Sequence, residues 1–252
     1  MRQLTFSAWA FTLCTAISFA QPVLRKEPAL YAATERTSRV EVPPPGIRFG
    51  LRKPRELALA PLSGPERAEL AGPGPRLRTG VHRKLPATLL SIGDWENTAE
   101  GKRVWRMTLR SPGALGTRVE FLNFSAGSGK VWLHNGEQVA GPYSGRGIYE
   151  DGHFWSATVF SDSVTLEYEP GEDTGVETRP PFEIRSISHQ TTSVAAAAAP
   201  QAGSADPADS CHLDPNCYPE WKPAMNMVAQ ISFEDGGSSF LCSGSLVAKS
   251  KA

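Results

Sequence analysis

Trp105-Arg106-Met107-Thr108-Leu109-Arg110 alternates apolar and polar side chains, and this alternation decides the fold. Successive side chains on a strand point to opposite faces, so period two predicts a strand with one buried face. The same pattern recurs on both sides of it. Val119 and Phe121 alternate with Arg118 and Glu120, and Val131 and Leu133 bracket Trp132. His134-Asn135-Gly136-Glu137 then supplies a tight hairpin turn, because Asn-Gly accepts the positive φ that such turns require. Trp155, Ala157 and Val159 form a further apolar face. Ser161-Asp162-Ser163 turns the chain into Val164, Leu166 and Tyr168, with Thr165, Glu167 and Glu169 facing out, and Phe182 and Ile184 open a last strand. Short strands separated by turn residues, with no helical stretch, predict an all-β antiparallel sandwich or jelly roll over residues 86–190.

This module offers few groups for chemistry. Trp132, Tyr143 and Trp155 could line a sugar groove, and Glu150-Asp151 with Asp94 or Glu172-Asp173 could supply carboxylates to Ca²⁺. Aromatics on alternating strands are more often core, and acidic loop residues are more often solvated. His134 and His153 sit beside turn residues and are expected at the surface. No cofactor is implied.

Composition shifts sharply on either side of the sandwich. The whole chain is neutral, with 26 Lys+Arg against 26 Asp+Glu, which argues against a dedicated nucleic-acid binder. The neutrality hides a net +7 over residues 21–84 and a net −8 over residues 85–252. Residues 21–85 hold ten prolines, including Pro43-Pro44-Pro45 and Gly72-Pro73-Gly74-Pro75, interleaved with arginines. Prolines lack the backbone donor and charges resist burial, so this region is expected to be a largely disordered pro-region, with dibasic pairs Arg52-Lys53 and Arg83-Lys84 open to cleavage. Residues 191–210, with five alanines running into Pro200-Gln201-Ala202-Gly203-Ser204, read as a linker. At the start, Arg2, the apolar stretch Leu4 to Ala20 and small residues Ser18 and Ala20 form the pattern of a secretory signal peptide over residues 1–20. The chain is therefore expected outside the cytoplasm, and beyond the leader no apolar run approaches the ~18 residues needed to span a bilayer.

The carboxyl end, residues 211–252, carries the most specific text. Cys211-His-Leu-Asp214-Pro-Asn-Cys217 is followed by the alternating strand Met227, Ala229, Ile231, Phe233. A turn over Glu234 to Ser239 returns the chain through Phe240-Leu241-Cys242-Ser243-Gly244-Ser245-Leu246-Val247 as the strand's hairpin mate. This segment resembles the opening of secreted bacterial trypsin-like serine proteases, particularly the lysyl-endopeptidase-like branch of the chymotrypsin fold. The resemblance implies the first strands of a trypsin-like β-barrel, with Cys-Ser-Gly-Ser-Leu-Val just ahead of the loop that bears the catalytic histidine. It implies peptide-bond hydrolysis with a Lys or Arg preference, protein and peptide substrates, and a monomeric enzyme.

The same resemblance implies that this chain lacks the catalytic set. A serine protease needs a serine activated by a histidine that an aspartate orients. No Gly-Asp-Ser-Gly-Gly string is present, and Ser161-Asp162-Ser163 lacks the glycines of an oxyanion hole. Ser243 and Ser245 match strand positions, while His189 and His212 match nothing catalytic. Without the leader, Cys211, Cys217 and Cys242 are an odd set in an exported chain. In the family their counterparts pair with cysteines farther along, which would place the partners beyond residue 252. A Cys211–Cys217 bond with Cys242 free is the alternative, and a zinc site with His212 has poor spacing. The tail is expected to be unable to fold alone, leaving Met227, Ile231, Phe240 and Leu246 partly uncovered. A different reading is a secreted sandwich module for adhesion, glycan or Ca²⁺ binding.

Overall fold

The computed structural model describes residues 31–32, 42–74, 76–86, 89–172, 178–191, 219–225 and 227–245. Residues 1–20, expected to be a leader, most of the Ala-rich stretch 191–210, Cys211, Cys217 and Leu246 lie outside the described residues. Among those described, the strands are β1 (Tyr31–Ala32), β2 (Glu56–Ala58), β3 (Leu77–Lys84), β4 (Asp94–Asn97), β5 (Arg103–Arg110), β6 (Gly116–Leu122), β7 (Gly127–His134), β8 (Gln138–Gly145), β9 (Phe154–Trp155), β10 (Ser163–Glu169), β11 (Glu183–Gln190), β12 (Val228–Asp235) and β13 (Ser238–Ser245). Three short helices accompany them: α1 (Pro45–Arg48), α2 (Gly64–Ala71) and α3 (Lys222–Met225).

The strands form two sheets. One runs β1-β8-β7-β10-β5-β2, with β4 also paired to β5, and the other runs β12-β13-β3-β11-β6-β9. Every pairing is antiparallel except that of β2 with β5. The two inner faces meet as the alternation predicts. Trp105, Met107, Leu109, Val131, Leu133, Val164, Leu166 and Tyr168 of the first sheet pack against Val119, Phe121, Phe154, Ile184 and Ile187 of the second. Phe121 sits at the centre, within 5.5 Å, ring centre to ring centre, of Phe124, Phe154 and Phe182. Fully burying a side chain of this size stabilises by about 1.5–3 kcal/mol, so this aromatic group is the main anchor between the layers.

Both predicted hairpins form. Gly136 turns β7 into β8 at φ +98°, and Asn135 Oδ1 accepts the amides of Glu137 and Gln138. Gly236 and Gly237 turn β12 into β13 at φ +54° and +89°, the doubly positive turn whose twist suits a two-residue hairpin.

The structure corrects the reading of residues 42–85 as unpacked. Here Pro45 and Pro65 stand in the first turns of α1 and α2, where a missing N–H costs nothing. Ser63 caps α2 by accepting the amide of Glu66, while the Glu66 carboxylate accepts the amide of Ser63 at 2.7 Å. β3, which contains the dibasic pair Arg83-Lys84, is an interior strand between β11 and β13, and Arg83 is buried. Residues 42–58 lie across the outer face of the first sheet. Trp132 Nε1 donates to Val42 O at 3.2 Å, Arg106 Nη1 donates to Arg52 O at 2.7 Å, and β2 pairs with the end of β5. That cover is why Arg106, Thr108, Trp132, His134 and Glu167 are buried although they face away from the core. The expected surface position of His134 and outward exposure of Glu167 are thus corrected.

Candidate functional site

Three buried polar clusters stand out from this scaffold, each where a segment from elsewhere in the chain covers a sheet. The first crosses the second sheet. Arg118 of β6 lies opposite Ser188 of β11, Ser188 lies opposite His82 of β3, Ser239 of β13 lies opposite Gly80 of β3, and Glu234 of β12 lies opposite Ser239. In a flat sheet four strand spacings would hold β6 and β12 about 19 Å apart. Instead the sheet curls, and Arg118 Nη1 donates to Glu234 Oε1 at 3.0 Å. Gly80 permits the curl: a Cβ there would lie 3.0 Å from Ser239 Oγ and 2.7 Å from His189 O. Across it, Ser188 and Ser239 hydroxyls meet at 2.5 Å.

Glu234 is the hub. Its Oε2 accepts from Ser239 Oγ at 2.6 Å and from His82 Nε2 at 2.7 Å, and its side chain is 2 % exposed. A hydroxyl has one proton, so Ser188 donates to Ser239, which donates to Glu234. Serine, histidine and carboxylate are all present, but both donors point at the carboxylate and none activates the serine. The cluster is a carboxylate receptor, not a nucleophile.

A second cluster joins Ser111, His189, Arg83 and Glu66. Ser111 Oγ lies 2.7 Å from His189 Nδ1, and Arg83 donates to Ser111 Oγ at 3.1 Å, to Glu66 Oε1 at 2.9 Å and to Ala60 O at 2.8 Å. Burial, then the Arg83 charge, holds the His189 imidazole below its ordinary range and so favours the neutral ring. A serine bonded to a neutral imidazole is the arrangement of an activated nucleophile. Here Ser111 and His189 are buried, and a guanidinium donates onto the hydroxyl oxygen. This network ties α2 to the sandwich.

The third lies beneath α1. Glu167 Oε1 accepts from Arg106 Nε at 2.8 Å, and Oε2 accepts the Gly46 amide at 2.6 Å. His134 Nε2 is 3.2 Å from Oε1, an ion-pair distance with poor hydrogen-bond alignment, and neither ring nitrogen has a hydrogen-bond partner among the described residues. Burial pushes the Glu167 carboxyl up. His134, the Gly46 amide and Arg106 outweigh that push and hold it below the ordinary carboxylate range. A cleft of about 400 Å³ opens beside this cluster, lined by Lys53, His134, Asn135, Ser161, Ser163 and Thr165 among others.

The residues that the sequence singled out are dispersed. Trp132 lies under residues 42–58, Tyr143 lies in the core with its hydroxyl accepting the Ala157 amide, and Trp155 stands against His82 on the other sheet at 4.5 Å between ring centres. They do not form one groove. Asp94 pairs with Arg55, Asp151 Oδ1 accepts the His153 amide, and no three metal-ligating side chains cluster among the described residues. His153 is half exposed and pairs with Glu120 at 3.0 Å. Cys242 is an exposed thiol on β13, while Cys211 and Cys217 lie outside the described residues. Sequence reading missed Glu66, His82, Arg118 and Glu234. The capping-box spacing Ser63-Gly-Pro-Glu66 is the signal that could have found one of them.

No curated protein and no solved structure matches the chain. A family model described as the lysyl endopeptidase N-terminal domain matches residues 51–191, which takes in β2 through β11 and so includes stretches expected to be unstructured. That match spans more than half of the 252 residues, and the chain belongs to the lysyl endopeptidase N-terminal domain family.

Proposed function

We propose that this chain is the non-catalytic N-terminal part of a secreted trypsin-like serine endopeptidase that cleaves after lysine or arginine. Its family membership carries the reading, since that domain is named for its place ahead of a lysyl endopeptidase. The leader pattern of residues 1–20 supports export, and the Cys-Ser-Gly-Ser-Leu-Val string at Cys242–Val247 supports a trypsin-like peptidase part. The two Ser–His groupings are consistent with a module that does no chemistry: one serine is buried beneath an arginine, and the other donates to a carboxylate. In this reading Cys211, Cys217 and Cys242 bond to cysteines of the peptidase, and the substrates are proteins and peptides.

The test has two arms. The purified chain should leave chromogenic Lys- and Arg-peptides uncut, and the exported product of the complete reading frame should cut them. Hydrolysis by the chain alone, or none by that complete product, would overturn the assignment.

A further inference from the structure

The β12–β13 hairpin is seated on the rest of the molecule by contacts of three kinds. Its β13 continues the sheet by pairing with β3 from Ser238↔Val81 to Leu241↔Leu77, and the His82 amide donates to Gly237 O at 2.8 Å. Glu234 enters the receptor built by Arg118 and His82, two residues that the sandwich itself holds in place: Arg118 Nε donates to Ser156 O at 2.7 Å, and His82 packs on Trp155. Around this centre lies a rim. Arg76 pairs with Asp235 at 2.7 Å and sits 4.3 Å over the Phe240 ring, and Ser238 Oγ donates to Glu69 at 2.9 Å.

We propose that the sandwich grips this hairpin as a strand-addition clamp keyed by Glu234, and that it keeps hold of the hairpin when the chain between them is cut. Main-chain pairing on a sheet edge supplies affinity without specificity, while one buried side chain supplies the selection. Without the hairpin, β3 would be a sheet edge with open donors and acceptors. A charge pair this deeply buried governs dissociation more than association. The partner is therefore a β-hairpin with a carboxylate at the position of Glu234, here the chain's own C-terminal segment.

The experiment uses the full chain with a specific cleavage sequence inserted between Ser204 and Ala205, cut after purification under reducing conditions. The two pieces should co-elute on a native sizing column. Glu234→Ala should speed release of the smaller piece at least about 30-fold, with the near-UV spectrum of the larger piece unchanged. Glu234→Gln keeps the shape and serves if the alanine variant does not fold; it should move release in the same direction. Separation of the unsubstituted pieces, or release unaffected by either Glu234 substitution, would overturn the clamp.

Discussion

Gly46 leaves room for the buried Glu167–Arg106 pair, because a Cβ there would lie 2.1 Å from Glu167 Oε1 and 2.5 Å from Arg106 Nη2 and would force both side chains to shift. In an exposed helix Gly→Ala would stabilise by about 1 kcal/mol. Here Gly46→Ala should instead destabilise by about 1–3 kcal/mol, the cost of forcing a packed site apart, as measured by urea unfolding. Glu167→Leu should cost about 3 kcal/mol by the same measurement, since it strands a buried guanidinium. The figure sits at the low end for a broken buried pair because Arg106 keeps Glu96 at 3.2 Å. A neutral result for both would mean that α1 does not close over this carboxylate. None of this was readable from the alternation around Glu167. A polar residue between Leu166 and Tyr168 faces away from the core, and the local pattern is silent on whether another segment covers that face.

At the scale of single elements, α2 shows how one carboxylate can serve two structures. Glu66 accepts the Ser63 amide through one oxygen and Arg83 Nε through the other, so the helix cap is also the tie to β3. Ser63→Ala removes only the cap and should cost about 1 kcal/mol. Glu66→Ala removes both links and should lower the thermal midpoint at least twice as far; equal shifts would separate the cap from the tie. The spacing Ser63-x-x-Glu66 could have signalled it, yet the prolines around it masked a helix of only eight residues. β3 was harder to see. Leu77-Arg-Thr-Gly-Val-His-Arg-Lys84 has no apolar alternation, because its inward positions include Arg83, which is satisfied by Ser111, Glu66 and Ala60 rather than by solvent.

For the whole molecule the buried polar ties set the response to acid. His189 is held below its ordinary 6.5, so the unfolded chain takes up a proton that the folded chain resists, and stability present above pH 6.5 is lost as pH falls below it. Glu66 is lowered from 4.5 to about 2: burial opposes this, and the Ser63 amide and hydroxyl with Arg83 prevail. Its contribution is complete above pH 4.5 and lost from there towards pH 2. Glu167, also depressed, acts in the same sense. The thermal midpoint should therefore fall in two stages on acidification, and His189→Gln should flatten the upper stage while sparing the lower. An unchanged slope below pH 6.5 in that variant would show that His189 is not the group responsible.

What residue order alone determined is what depends on neighbours two to seven positions apart: strands β5, β6, β7 and β10 with their inward residues, the start of β11, the two glycine turns and the C-terminal hairpin. The face expected from Trp155, Ala157 and Val159 is corrected, since β9 is only Phe154–Trp155 and Phe154, not Trp155, enters the core. Side-chain alternation is a local geometric consequence of the extended backbone, so a short window reveals it. Tertiary structure decided what rests on the outer faces and on the open edge. Residues 42–58 cover Glu167 from more than a hundred positions away, and Glu234 meets Arg118 across 116. Burial of those charges depends on which distant segment arrives, and no periodicity within either segment encodes that meeting.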